Sequence, residues 1–500
     1  MITMIGGEMP DYAEERPPAA GPLYRHLIDW LPAGIRVLVA GPHDAELVGA
    51  LADRRDVTCL LRSQPDAESL AARELSGVTV VCGDLSKLTE ADRYDAVIAL
   101  DGARRLCSPE GPQLDWTESV RALKRTLRPG GTLLLTVENE LGVHRLVDPG
   151  VPTAARTGDA WHPLADFGSA PGRADRLAAL LGAEGLPVAG LAAAWPLPAH
   201  PTLLVTPETL KYGPLDALAA LAAAAVAPAY RGRSVLSDPR RLAAASVRRG
   251  IGAELAPAWL AVAQRATRPD QNVPVPPALI AGPGGSIAEV TKAPDGGWLR
   301  RAVQGPPELN GPLPAGKLLE EQLLSAALGH DLPALRRLLT GWMAALPTVD
   351  AGDVLVDGDR FTRLDLTPER PDALARFAHT LATGGYHHPW PGITAPDRLA
   401  EVLAGAAGLT TAPVPLADPG DTLPDSRREH EEQMRALREQ LADAEARARF
   451  FEVELEKREA ELGRAKTQIA AFSGNLGYRA AKAGLVLARA ARNRIRKGRT

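Results

Sequence analysis

Between residues 35 and 139 the chain repeats one pattern. Short runs of β-branched and apolar residues alternate with helical or turn stretches. The runs are Ile35-Arg36-Val37-Leu38-Val39-Ala40, Val57-Thr58-Cys59-Leu60-Leu61, Val78-Thr79-Val80-Val81, Tyr94-Asp95-Ala96-Val97-Ile98-Ala99-Leu100 and Thr132-Leu133-Leu134-Leu135-Thr136-Val137. Strands that alternate with helices imply a parallel sheet covered on both faces, and strands buried on both faces read as nearly continuous apolar runs. The fold class expected here is therefore α/β. After the first run comes Gly41, and then Leu47, Val48 and Leu51 at helical spacing. In such sheets ligands bind at the carboxyl ends of the strands. Glu138, Asn139 and His144, just after the fifth run, are thus candidates to face an acceptor, with His144 as a base if its pKa is near neutral. The plain alternative is a polar loop that caps the next element.

One phrase narrows the class. A helix is expected to end at Leu127, Pro129-Gly130-Gly131 to turn the chain, and a buried strand to follow. With Val37-Leu38-Val39-Ala40-Gly41, Cys82-Gly83-Asp84-Leu85 and Tyr94-Asp95-Ala96-Val97-Ile98 in register, residues 31–205 resemble class I S-adenosylmethionine-dependent methyltransferases. The resemblance implies a Rossmann-like domain and S-adenosylmethionine as cofactor. It places Gly41 and Asp44 on the cofactor loop, Asp84 at the adenine and Asp101 at the end of the fourth strand. The chain departs from the family in three places. Val39 stands where an acid is usual, Gly41-Pro42-His43-Asp44-Ala45 keeps one of three glycines, and Leu61 or Arg62 falls where an acid holds the ribose. The segments at 139–142, 185–186 and 195–210 resemble a narrower group found with bacterial cell-surface glycan biosynthesis, which implies a sugar or other small-molecule acceptor. Residues 159–168, with Trp161 and His162, are expected to form a lid over it.

Residues 1–30 read as a loose leader and a first helix, and residues 206–405 as a second, α+β domain. In the latter, a strand ending at Lys292 and a hairpin from Val354 to Asp365 weakly resemble a small-molecule kinase lobe. The family's catalytic His is missing before Val354, so a degenerate lobe without phosphoryl transfer is expected. His387 and His388, adjacent on an extended segment, point to opposite sides and suit no shared metal, and no metal site is expected. A Pro- and Asp-rich linker spans 406–425. In residues 426–472, Met434, Leu437, Leu441, Ala444, Ala448, Phe451, Leu455, Leu462, Ala465, Ile469 and Phe472 fall at alternating spacings of three and four, interrupted only by Arg458. That is a heptad seam, and it predicts a coiled coil and a homo-oligomer. The tail, 473–500, is basic and interleaved with Leu485, Val486 and Leu487, which suits peripheral contact with an anionic membrane surface.

Net charge is −4, so no global basic field points to nucleic acid. Cys59, Cys82 and Cys107 are widely spaced and fit small buried residues in a reducing compartment rather than a disulfide framework. With no signal-peptide pattern, the expectation is a cytoplasmic protein that touches the inner face of the membrane through its tail. Two functions compete: a methyltransferase acting on a sugar or other small molecule, and an inactive oligomeric scaffold that recruits glycan-assembly enzymes to the membrane.

Overall fold

The computed structural model describes residues 2–497 except 15, 90–92, 109–110, 113, 149–168, 232, 234, 267–274, 417–426 and 475. The chain opens with β1 (Ile2–Gly6), α1 (Pro22–Asp29), β2 (Arg36–Ala40), α2 (Ala45–Ala52), β3 (Asp56–Leu61), α3 (Gln64–Ala71), β4 (Val78–Gly83), β5 (Tyr94–Ala99), α4 (Trp116–Thr126) and β6 (Leu127–Glu138). The central strands lie in the order β4-β3-β2-β5-β6, all parallel. This is the 3-2-1-4-5 order of a doubly wound sheet, and the direction of winding reverses between β2 and β5. Alternate side chains supply the two faces. Val37 and Val39 pack with Leu23, Leu27, Val48 and Leu51 of α1 and α2. Leu38 and Ala40 pack with Val120 and Leu123 of α4. Helix starts are set locally: Asp44 caps α2, Ser63 caps α3, and Asp115 with Glu118 forms a capping box on α4.

Two expectations for this part need correction. Residues 1–20 are not a loose leader. β1 pairs in parallel with β4, Ile2 opposite Val80 and Met4 opposite Cys82, and so covers what would be an open edge. The turn at 129–131 does not separate α4 from its strand but lies inside β6. Leu127 pairs with Tyr94 and Thr132 with Ala96, so the residues between bulge out, and Gly130 takes a φ of +82° that favours glycine.

The next elements are α5 (Val143–Val147), α6 (Ala174–Ala183), β7 (Val188–Trp195), β8 (Leu203–Val205), α7 (Pro207–Tyr212), α8 (Leu215–Val226), α9 (Pro239–Arg248), α10 (Gly252–Leu255) and β9 (Ala258–Gln264). The expected boundary at 205/206 does not divide the sheet. β9, from beyond it, runs antiparallel between β6 and β7 and completes the sheet that the earlier residues begin. Every residue of β9 is buried, including Trp259. A run without alternation carries no period by which a strand could be told from a buried helix. The alanine-rich α8 packs as a core helix.

β10 (Ala278–Ala281), β11 (Ile287–Lys292), β12 (Trp298–Gln304) and β13 (Gly311–Pro312) extend the same sheet antiparallel from β8, giving thirteen strands among the described residues. β14 (Lys317–Leu318), α11 (Leu319–Leu328), α12 (Leu332–Ala345), β15 (Val354–Asp357), β16 (Arg360–Arg363), α13 (Ala373–Thr383) and α14 (Pro396–Ala406) follow. The hairpin expected from Val354 is present as β15 and β16 in a small sheet with β14, and the helices around it hold a core of their own. The two regions are locked by Arg240 of α9. It is buried between Asp238 and Glu320 of α11, with Nη1 2.8 Å from Glu320, while Tyr386 donates to Asp238 at 2.8 Å. Residues 1–428 form one compact unit. The expected lid at 159–168 and the part of the linker from 417 to 425 lie outside the described residues.

The second unit consists of α15 (Arg427–Gly474) and α16 (Leu476–Lys497). Met434, Leu437, Leu441, Phe451, Leu455, Leu462 and Ile469 are exposed along α15, and Leu485, Val486 and Leu487 along α16. Among the described residues no helix is long and apolar enough to cross a membrane.

Candidate functional site

The crevice lies where β2 and β5 diverge, at the carboxyl ends of β2–β5. Each expected cofactor residue is at its rim, and each is engaged by the chain itself. Gly41 has a φ of +86°, which a side-chain-bearing residue rarely adopts. A Cβ there would stand 3.3 Å from Leu106 and 3.6 Å from the Asp101 carboxylate, so the loop is packed against the end of β5. The Asp44 carboxylate accepts from the Glu46 N–H as the cap of α2. Asp84 is fully buried; one oxygen accepts from Ser86 N–H at 2.8 Å and the other from Ser108 N–H at 2.9 Å. Asp101 takes a two-pronged contact from Arg105. Burial pushes the Asp101 carboxyl up, to about 6, against the pull of Arg105.

The segment between β1 and α1 is tied to the loops after β3 and β2. Met9 donates to Arg62 O and receives Gln64 N–H; Ala19 donates to Pro42 O and receives Asp44 N–H. Glu14 reaches the position where the family resemblance implied a ribose-binding acid. There Arg62 donates to it from Nε at 2.7 Å and Nη2 at 3.3 Å. Arg105 stands 3.9 Å from the same carboxylate and donates to Arg16 O and Pro17 O at 2.9 and 3.0 Å. The side chains of Glu14 and Arg105 are 6% and 9% exposed, so this ion group is largely removed from water. His43, not singled out from the sequence, closes the switch point. Its Nε2 accepts from Leu100 N–H at 3.1 Å, which leaves Nδ1 to donate to Gly41 O at 3.0 Å. Burial lowers its pKa to about 4 and holds the ring neutral. In this conformation Glu14 and the backbone of Met9 and Ala19 engage the same loops that the resemblance assigns to S-adenosylmethionine.

The acceptor-side candidates meet a similar fate. Asn139 is 2% exposed and donates to Glu254 O and Ala256 O at 2.6 and 2.9 Å, fastening the end of β6 to the start of β9. It is a structural clamp. Glu138 accepts from His144 Nε2 at 3.1 Å and from Arg145, with Arg16 and Arg104 nearby. Against the cost of burial, His144 and Arg145 hold its carboxyl well below the usual range. A carboxylate only accepts, so the proton of His144 is on Nε2. The bare Nδ1 has no partner and lies against Gly142. Burial lowers the His144 pKa below its ordinary value, against the pull of Glu138. Cys59 and Cys82 are buried as expected and Cys107 is half-buried; burial pushes the Cys59 thiol up to about 12.

No protein-family model matches the chain, and no curated protein matches it. Solved structures similar to it are S-adenosylmethionine-dependent methyltransferases. One is the Burkholderia thailandensis 1,6-didemethyltoxoflavin N1-methyltransferase with bound 1,6-didemethyltoxoflavin and S-adenosylhomocysteine, at 16% identity and a TM-score of 0.26 over 49% of this chain and 77% of that one. A second is a Geobacter sulfurreducens methyltransferase in complex with S-adenosylhomocysteine, at 19% and 0.24 over 49% and 89%. A third is the amino pentose methyltransferase CalS10 of Micromonospora echinaspora, at 24% and 0.18 over 23% and 47%. The fold assignment rests on the strand order of this chain and not on these likenesses.

A separate cavity of about 470 Å3 lies between α8, the end of β10 and the helical region after β14, lined among others by Arg240, Glu320, Asp350, Asp353, Asp365 and Arg376. Burial, with Asp350 beside it, raises the Asp353 carboxyl to about 6. Of these, Asp365 belongs to the hairpin of the weak kinase resemblance. Lys292 is exposed at the end of β11, and Asp365 is 3.8 Å from Arg300. Among the described residues no group of three or more His, Cys, Asp or Glu side chains is placed to hold a metal ion.

Proposed function

We propose that the chain is an S-adenosylmethionine-dependent methyltransferase acting on a small molecule, with a sugar or sugar-linked acceptor in cell-surface glycan biosynthesis. One observation supports the reading: β2, β4 and β5 run parallel in one sheet, and Gly41, Asp84 and Asp101 follow their carboxyl ends, where such sheets bind ligands. The proposal concerns the loops after β2, β4 and β5, over which Glu14 and the backbone of Met9 and Ala19 are hydrogen-bonded in this conformation. Gly41, Asp44, Asp84 and Asp101 would line the cofactor, which supplies the methyl group. The Glu138 cluster with His144, Arg104 and Arg145 would form the acceptor wall. Residues 426–472 would join copies of the chain through the α15 seam, and the basic α16 would rest on an anionic membrane. Residues 31–205 and 206–405 would then serve as the catalytic domain and a kinase-like partner region without phosphoryl transfer, sharing one sheet.

The test is calorimetric titration of the full chain with S-adenosylmethionine and S-adenosylhomocysteine, followed by an acceptor screen with sugar nucleotides. Heat of binding that saturates at one site per chain supports the reading. Absence of heat and of any thermal shift for both compounds removes it and leaves the scaffold reading.

A further inference from the structure

We propose that the crevice is a site for a ligand carrying a carboxylate or phosphate, and that the chain keeps this anion seat filled with the carboxylate of its own Glu14. This rests on the reading of the crevice as a ligand site and adds how it is selected and gated. Arg62 binds Glu14 side-on through Nε and Nη2, the two-pronged geometry by which a guanidinium reads a free carboxylate. The segment that carries Glu14 is fixed at both ends, by β1 on β4 and by α1 on the sheet, so it spans the crevice as a strap. Its middle is held by the crevice itself. Glu14 N–H donates to Asp66 at 2.9 Å, Arg105 donates to the carbonyls of Arg16 and Pro17, and Met9 and Ala19 pair with the loops after β3 and β2.

Lifting the strap takes the acid away from Arg62 and two carbonyls away from Arg105. The Arg62 side chain is only 16% exposed and that of Arg105 only 9%. Arg105 keeps Asp101 and Arg62 keeps the Cys107 carbonyl, but Arg62 is left without a counter-ion, so its charge-assisted pair with Glu14 favours the closed crevice. A ligand that brings an anion of its own restores the pair and makes opening favourable. A ligand without one does not. Shape alone would admit any nucleoside; Arg62 adds the requirement for a negative group. Opening is therefore an exchange of one carboxylate for another anion, and the strap and the ligand exclude each other.

The experiment has two parts. First, amide hydrogen exchange at Met9, Ala19 and Gln64 of the unaltered full chain is followed with S-adenosylhomocysteine, with methylthioadenosine, which lacks the amino-acid carboxylate, and with excess inorganic phosphate. The expected result is faster exchange with the first and third and none with the second. Second, Glu14→Gln is titrated with S-adenosylhomocysteine, with circular dichroism as a check on folding, and is expected to bind about tenfold more tightly than the unaltered chain. If S-adenosylhomocysteine binds both chains equally while the strap amides stay protected, the anion-seat proposal falls and the cofactor reading stands. If neither nucleoside binds but phosphate releases the strap, the cofactor reading falls and the anion seat stands. If nothing binds and no amide responds, both fall. Should Glu14→Gln fail to fold, the exchange measurement on the unaltered chain still decides.

Discussion

Asp84 is where a structural and a cofactor role can be separated by one substitution. Its carboxylate is fully buried and takes two backbone N–H groups, Ser86 at 2.8 Å and Ser108 at 2.9 Å. Around it the packing leaves no slack, since a Cβ on Gly7 would come within 2.8 Å of the Asp84 Cβ. In Asp84→Asn the amide oxygen serves one N–H, but the amide nitrogen is a donor facing the other. One hydrogen bond to a charged acceptor is lost and a buried donor is left unpaired, at a cost of about 2–3 kcal/mol. The assay is urea unfolding of the ligand-free chain by far-UV circular dichroism, reading the first transition because a chain of this size need not unfold in one step. The midpoint should fall with the slope unchanged. A loss below about 0.5 kcal/mol without ligand, well short of the hydrogen-bond cost, would refute the structural account. Asp84 would then be free to serve a cofactor alone.

Three further outcomes follow from the geometry. His43 is held neutral with its pKa lowered from 6.5 to about 4, so the native chain binds fewer protons than the unfolded one between those values. Stability should fall as pH drops from 6.5 towards 4, and His43→Gln should flatten that part of the urea-midpoint profile; an unchanged profile contradicts it. Arg240→Met strands the buried Glu320 and should cost about 3–5 kcal/mol, while adding Glu320→Leu should recover part of this in thermal unfolding. Equal losses in the single and double variants would show that the pair is not coupled. Leu455→Asp, in the middle of the exposed α15 seam, should lower the mass seen by sedimentation equilibrium. A mass equal to one chain before the substitution would end the coiled-coil reading.

The parallel core was legible because burial on both faces writes each strand as an unbroken apolar run, and the runs at 36–40, 57–61 and 94–99 became β2, β3 and β5. The family resemblance also drew attention to Asp84 and Asp101. Their partners were not legible. Backbone N–H groups occur everywhere and leave no mark in a sequence, so the acceptor role of Asp84 had no signature. The Glu14–Arg62 pair joins residues far apart in sequence through a segment whose polar, proline-containing composition reads as unstructured. Asn139 showed the same limit: a conspicuous residue at the mouth of a crevice turned out to bond the carbonyls of Glu254 and Ala256. β9 was hidden for a third reason, since nothing local says that it enters between two strands already made.

That entry constrains how the chain is built. β6 and β7 are each synthesised before residue 258, and although β6 pairs with β5 and β7 with β8, the other edge of each stays open until β9 arrives between them. Throughout that interval both present unpaired backbone and apolar faces, the template on which strands from other molecules add. The residues from 196 to 257 therefore set a waiting time on the ribosome, and slow translation there would prolong it. Had β6 and β7 paired with each other in the meantime, β9 would have to break that pairing before the sheet could finish. A strand inserted late thus makes the yield of folded protein depend on the tempo of synthesis as well as on the stability of the product.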